Sequence, residues 1–127
     1  DLLFRSRGIT NSAALVDADL GRAVLAAPML LIRPASDALD PAYLQWFINH
    51  PAIRAELASH AAGTAVKMIG ASALVHLRVT VPPIATQRHI VEDARLASRE
   101  SALLDRLKQR RKALVDSLLL RHAQQFE

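Results

Sequence analysis

From Thr86 to Gln124 the chain reads TQRHIVEDARLASRESALLDRLKQRRKALVDSLLLRHAQ, with neither glycine nor proline. A run of 39 residues without a breaker predicts one continuous helix, capped by Thr86 and about 58 Å long at 1.5 Å per residue. The 85 residues ahead of it would make a globule roughly 31 Å across. A helix of that length cannot be covered by its own domain, so about half of it is expected to project. Its apolar residues recur as a heptad stripe: Ala97, Leu104 and Leu118 on one position, Leu107 and Leu114 on the other, widened by Leu103, Val115 and Leu119. Such a stripe needs a partner helix. An antiparallel homodimer whose facing residues sum to 211 sets Leu104 against Leu107 and Ala97 against Leu114. It also sets Glu100 against Arg111, neutralising the two charges that interrupt the stripe.

Upstream of the helix, Pro82-Pro83 closes a segment, Leu77 to Val81, whose apolar and polar residues alternate as in a half-buried strand. Val66 to Ile69 reads as another short strand, and Gly70 to Val75 as a loop or single turn. Asp40-Pro41 is a helix start, with Asp as N-cap and Pro in the first position. Asn49-His50-Pro51 repeats the signal for a second helix running to about Ala62, with Gly63 as its stop. The first third holds short apolar runs at Leu2–Phe4, Ala14–Val16, Ala23–Leu25 and Met29–Ile32, too short for helices and separated by turns. The expected fold is α+β: a small mixed sheet-and-helix domain over residues 1–85, followed by a long helix over residues 86–127.

Composition narrows the function. The chain has 127 residues, 51% hydrophobic but only 4% aromatic, so Ala, Leu, Val and Ile must fill the core. Cysteine is absent, which excludes disulfides and thiolate–zinc sites. The longest apolar run, Ala23 to Ile32, is ten residues broken by Pro28, whereas a membrane span needs about 20. No basic-then-apolar leader opens the chain. These features predict a soluble cytoplasmic protein without membrane contact. The first strand lies at the very start and no Met precedes it, as in a piece of a longer chain. The five histidines lack HxxxH spacing, the four glycines are isolated, and no P-loop or G-x-S-x-G occurs. Asp40-Pro41-Ala42-Tyr43 comes near the D-P-P-Y loop of amino-methyltransferases, but Ala42 replaces the second proline and a helix start accounts for the rest. No catalytic residue, metal or cofactor is expected. The net charge is +4, of which residues 86–127 carry most, with nine basic against six acidic side chains. A basic balance favours polyanionic partners.

Four segments then carry a resemblance. Asp1-Leu2-Leu3-Phe4-Arg5-Ser6-Arg7-Gly8 is similar to the "G-D-hydrophobic-L-F-x-x-x-G" segment of target recognition domains in the specificity subunits of type I restriction–modification systems. Pro41-Ala42-Tyr43-Leu44-Gln45-Trp46-Phe47 with His50-Pro51 resembles that family's "P-x-Y-L-x-x-x-L" helix, and Gly63-Thr64-Ala65-Val66-Lys67 its "G-[ST]-x-x-x" loop. Leu77 to Val91 resembles the "hydrophobic-P-h-P-P-h-x-x-Q-x-x-I-V" signature that joins a recognition domain to its long helix. The resemblance implies a domain that reads half of a bipartite DNA site, and a helix that is spacer and docking surface for the methyltransferase subunit. It implies that this chain holds the later part of one of two domain–helix repeats.

Candidate contacts follow. Arg5 and Arg7 flank a turn ending in Gly8, with Asn11 beyond it, and could lay guanidinium groups on phosphates or a guanine edge. Lys67 is a further DNA candidate. Arg78 is expected to be solvated, and the run Lys108, Arg110, Arg111 and Lys112 is either a solvated face or a polyanion contact. Ala97, Glu100, Leu104, Leu107, Arg111, Leu114 and Leu118 form the partner-helix surface. A rival reading of the same residues is a helical dimerisation module that binds protein and has no affinity for DNA.

Overall fold

The computed structural model describes residues 1–8, 10–16, 18–19, 21–62 and 68–125, and the chain is α+β. Strands β1 (Leu2–Arg5), β2 (Ala13–Leu15) and β3 (Met29–Ile32) form an antiparallel sheet in the order β2-β1-β3. Helices α1 (Pro41–Asn49), α2 (Pro51–Ser59), α3 (Ala71–Val75) and α4 (Ile84–Gln124) follow. The chain forms two compact units, Asp1–Val91 and Glu92–Glu127. The first turns of the long helix thus belong to the first unit, because Gln87 is fully buried there.

Alternation on β1 organises the first unit. Leu2 and Phe4 are fully buried, with Ser6 continuing the inward row, while Arg5 and Arg7 face out. Register sets Leu2 between Leu15 and Ile32, and Phe4 between Ala13 and Leu30, so the inner face is apolar on all three strands. Leu44 and Ile48 of α1, Leu57 of α2 and Ile69 close the core against it. Burying each of these large side chains contributes about 1.5–3 kcal/mol.

Capping fixes the two middle helices. The Asp40 carboxylate accepts the Ala42 N–H at 2.8 Å, with Pro41 at the first helical position. His50 ends α1 and starts α2, its Nδ1 accepting the Ala52 N–H at 3.3 Å. Asn49, expected to share in that start signal, is turned elsewhere. Its amide receives the Ala13 N–H and donates to the Ala13 carbonyl, both at 2.8 Å. The bonds Arg5 N–H to Ser12 and Val16 N–H to Asp1 turn Ala13 away from β1, so Asn49 takes the place of a neighbouring peptide group at the edge of β2.

Several expectations need correction. Ala23–Leu25 is no strand: it pairs with nothing among the described residues, and Val24 is 95% exposed. Leu77–Val81 is no strand either, although its alternation is real. Leu77 and Val79 are half-buried against the core while Arg78, Thr80 and Val81 are exposed. What it lacks is a ladder partner, and the Thr80 carbonyl instead accepts the Tyr43 hydroxyl at 2.8 Å. Of the strand expected over Val66–Ile69, residues 66 and 67 lie outside the described residues. Met68 forms single bridges to Arg7 and Ala62, and the Ile69 N–H donates to the Ser6 carbonyl at 2.9 Å. The second helix ends at Ser59 rather than Ala62, because the His60 and Ala61 N–H groups turn back to Leu57 and Ala58 in tighter bonds. The second strand lies at Ala13–Leu15, one residue early. The long helix starts at Ile84 rather than Thr86, since the Pro83 carbonyl already accepts the Gln87 N–H at 3.1 Å.

Candidate nucleic-acid interface

Arg5 and Arg7 are two residues apart on an alternating segment whose intervening Ser6 is buried. Both therefore stand on the outer face, on the same side of the chain. The Ser6 hydroxyl donates to the Pro28 carbonyl at 2.6 Å and the Ser6 N–H to the same oxygen at 2.9 Å. These bonds, with that from the Ile69 N–H, engage the N–H, the carbonyl and the hydroxyl of Ser6. Neither arginine forms an ion pair among the described residues, in contrast to Arg33, whose guanidinium grips the Asp1 carboxylate at 2.6 and 2.8 Å. Two outward guanidiniums on a braced backbone can meet an anion without first breaking a salt bridge.

Asn11 is placed differently. Its Nδ2 donates to the Arg5 carbonyl at 3.1 Å, and the Arg5 N–H donates to the Ser12 carbonyl at 3.0 Å. Its side chain braces the turn from below the arginines, a positioning role. Gly8 has a φ of +135°, a conformation side-chain-bearing residues rarely adopt, and a Cβ there would lie 3.6 Å from the Arg5 Cδ. The turn thus closes over the aliphatic stem of Arg5. Lys67 lies outside the described residues. Arg78 is exposed, as its alternation implied.

In the second unit every described residue of α4 from Arg95 onward is exposed. Ala97, Glu100, Leu104, Leu107, Arg111, Leu114 and Leu118 all face solvent, with Leu104 at 59% and Leu107 at 64% exposure. The stripe lies open along a single uninterrupted helix. In the basic run Lys112 is paired with Asp116 at 3.5 Å.

Gln87 is the residue that sequence reasoning passed over. Its side chain is fully buried and makes three hydrogen bonds. Nε2 donates to the carbonyls of Ala38 and Pro82, each at 2.7 Å, and Oε1 accepts the Asp40 N–H at 2.8 Å. One amide thereby ties the start of α4 to the residue that caps α1. Arg88 adds a looser link, its Nε 3.8 Å from the Asp40 carboxylate. The signal was in the chain, as the one glutamine of the proline-rich signature, but a glutamine on a helix otherwise reads as surface.

Trp46 is half-buried beside Tyr43, with ring centroids 5.5 Å apart, and serves the rim of the core. Among the described residues no group of three or more His, Cys, Asp or Glu side chains could hold a metal ion. No helix among them is long and apolar enough to cross a membrane. No family model, curated protein or solved structure matches the chain.

Proposed function

We propose that this chain is a DNA-recognition module of the kind found in specificity subunits of type I restriction–modification systems. It supplies sequence specificity to a separate methyltransferase subunit and performs no chemistry itself. The long helix docks that subunit and pairs with a second copy in antiparallel fashion, in the cytoplasm. The observation that carries the reading is the pair of outward guanidiniums of Arg5 and Arg7, without an ion pair among the described residues, on a segment held by Ser6. The buried Gln87 supports it, since the signature that resembles the family's domain–helix junction folds around that residue.

The reading is tested by DNA binding with and without a methyltransferase subunit. Residues 1–85 carry seven basic against six acidic side chains and can neutralise few phosphates, so the chain alone binds no site selectively. With the partner present, Arg5→Ala or Arg7→Ala weakens binding by about 1–3 kcal/mol where the contact is to a base. Unchanged binding in a combined Arg5→Ala, Arg7→Ala, Lys67→Ala variant removes all three from the interface. A second reading, a dimerisation module with no DNA affinity, is favoured by the open leucine stripe of α4. Failure of DNA binding even with the partner, alongside an intact dimer, would select it.

A further inference from the structure

The exposed part of α4 carries a second pattern besides its leucines. Arg95, Arg99, Arg106 and Arg110 recur at spacings of four, seven and four residues. At about 100° per residue these four fall within about 60° of one another around the helix, and they span about 22 Å of its axis. All four are exposed on one unbroken helix. Arg95 is held by Glu92 at 3.8 Å, but Arg99, Arg106 and Arg110 form no ion pair among the described residues. None of the three has an acidic residue three or four positions away in either direction, the separations at which a helix lets charges meet. The ridge stands about 110° around from the centre of the leucine stripe. It therefore stays open when the stripe is covered by a partner helix.

We propose that this arginine ridge holds the phosphate backbone of a DNA duplex without regard to sequence. The proposal deepens the reading above and rests on it for the identity of the polyanion. The ridge itself points to phosphate. Arginine offers a planar fork that takes two phosphate oxygens at once, and Arg99, Arg106 and Arg110 cover about 16 Å of helix axis. Over that length a duplex presents on the order of ten phosphates, so each guanidinium finds one without precise register. The basic side chains on other faces are a different case: Lys112 is already engaged by Asp116, and Lys108 has Asp105 three residues before it.

The test uses the full chain and a labelled duplex of arbitrary sequence, with affinity followed by fluorescence anisotropy between about 20 and 200 mM salt. Two variants remove the same charge: Arg99→Gln with Arg106→Gln on the ridge, and Lys108→Gln with Lys112→Gln off it. Each lost phosphate contact lowers the log–log salt slope by about 0.9. The ridge variant should therefore lose close to two units while the control keeps most of the parent slope. Equal losses in both variants would reduce the effect to general charge attraction and overturn the ridge, as would no measurable binding at the lowest salt. Polyglutamate competing as well as unlabelled duplex would assign the ridge to an acidic protein and overturn it too. Because no particular sequence is probed, the outcome is independent of whether Arg5 and Arg7 touch bases, so failure here and failure of the recognition reading are told apart.

Discussion

Replacing Gln87 by leucine keeps the volume of the side chain and removes its amide. Three backbone groups then lose their partner at once: the Asp40 N–H and the carbonyls of Ala38 and Pro82. At about 0.5–1.5 kcal/mol of net stability per hydrogen bond, the loss is about 2–4 kcal/mol, a large share of what a small domain has. Urea unfolding followed by circular dichroism measures it as a lower midpoint at unchanged slope. The conservative change Gln87→Glu sharpens the test. A carboxylate can still accept the Asp40 N–H, but its second oxygen faces two carbonyl oxygens, so the protonated acid is preferred in the folded state. That raises the folded-state pKa above the ordinary glutamate value of about 4.3. Stability is then fully present below about pH 4.3 and is lost as pH rises through the raised value. A Gln87→Leu variant within about 0.5 kcal/mol of the parent, where neutral surface changes fall, would refute the joint. So would a Gln87→Glu variant whose stability relative to the parent ignores pH.

On the long helix, Glu100→Arg or Arg111→Glu should each weaken the proposed antiparallel dimer by placing like charges at the seam, and the double swap should restore much of the loss. Sedimentation equilibrium on the three variants checks this, with equal dimer affinities excluding the register and a monomeric parent excluding the homodimer. Asn49→Ala removes two hydrogen bonds from the edge of β2 and should lower the stability of the first unit by about 1–3 kcal/mol, again read by urea unfolding. A change within about 0.5 kcal/mol would mean that water replaces that amide at no cost.

Helices α1, α2 and α4 were legible because their signals are local. Asp40-Pro41 and His50-Pro51 announce α1 and α2 by capping chemistry alone, and the absence of breakers announces α4. Strands need a partner, and that partner is distant in sequence. Leu77–Val81 alternates as a strand does and buries Leu77 and Val79 accordingly, yet nothing in its own residues reveals that no ladder awaits it. The arginines of the candidate interface could be picked out by type, since Arg5 and Arg7 alternate with Phe4 and Ser6. That Asn11 braces the turn, and that Asn49 leaves its helix start for Ala13, depends on approaches made only in three dimensions. Gln87 is the extreme case: its neighbours at Ala38 and Asp40 are 49 and 47 residues away, and polarity alone argued against burying it.

The amide of Asn49 also decides in which direction the sheet can grow. By lying where the peptide of a further strand would lie, it blocks strand addition beside Ala13, as natural sheets guard an edge against unwanted pairing. On the opposite margin the outward Met29 N–H is engaged only within its own turn, by the Ala26 carbonyl at 3.1 Å. The Ser6 N–H bonds the Pro28 carbonyl, so Pro28, Leu30 and Ile32 turn their peptide groups toward β1, and Leu31 turns its own outward. Any extended segment that lengthens this sheet, from a longer polypeptide or from another molecule, must therefore join alongside β3. A deletion of the Asn49 side chain would convert a one-sided sheet into a two-sided template.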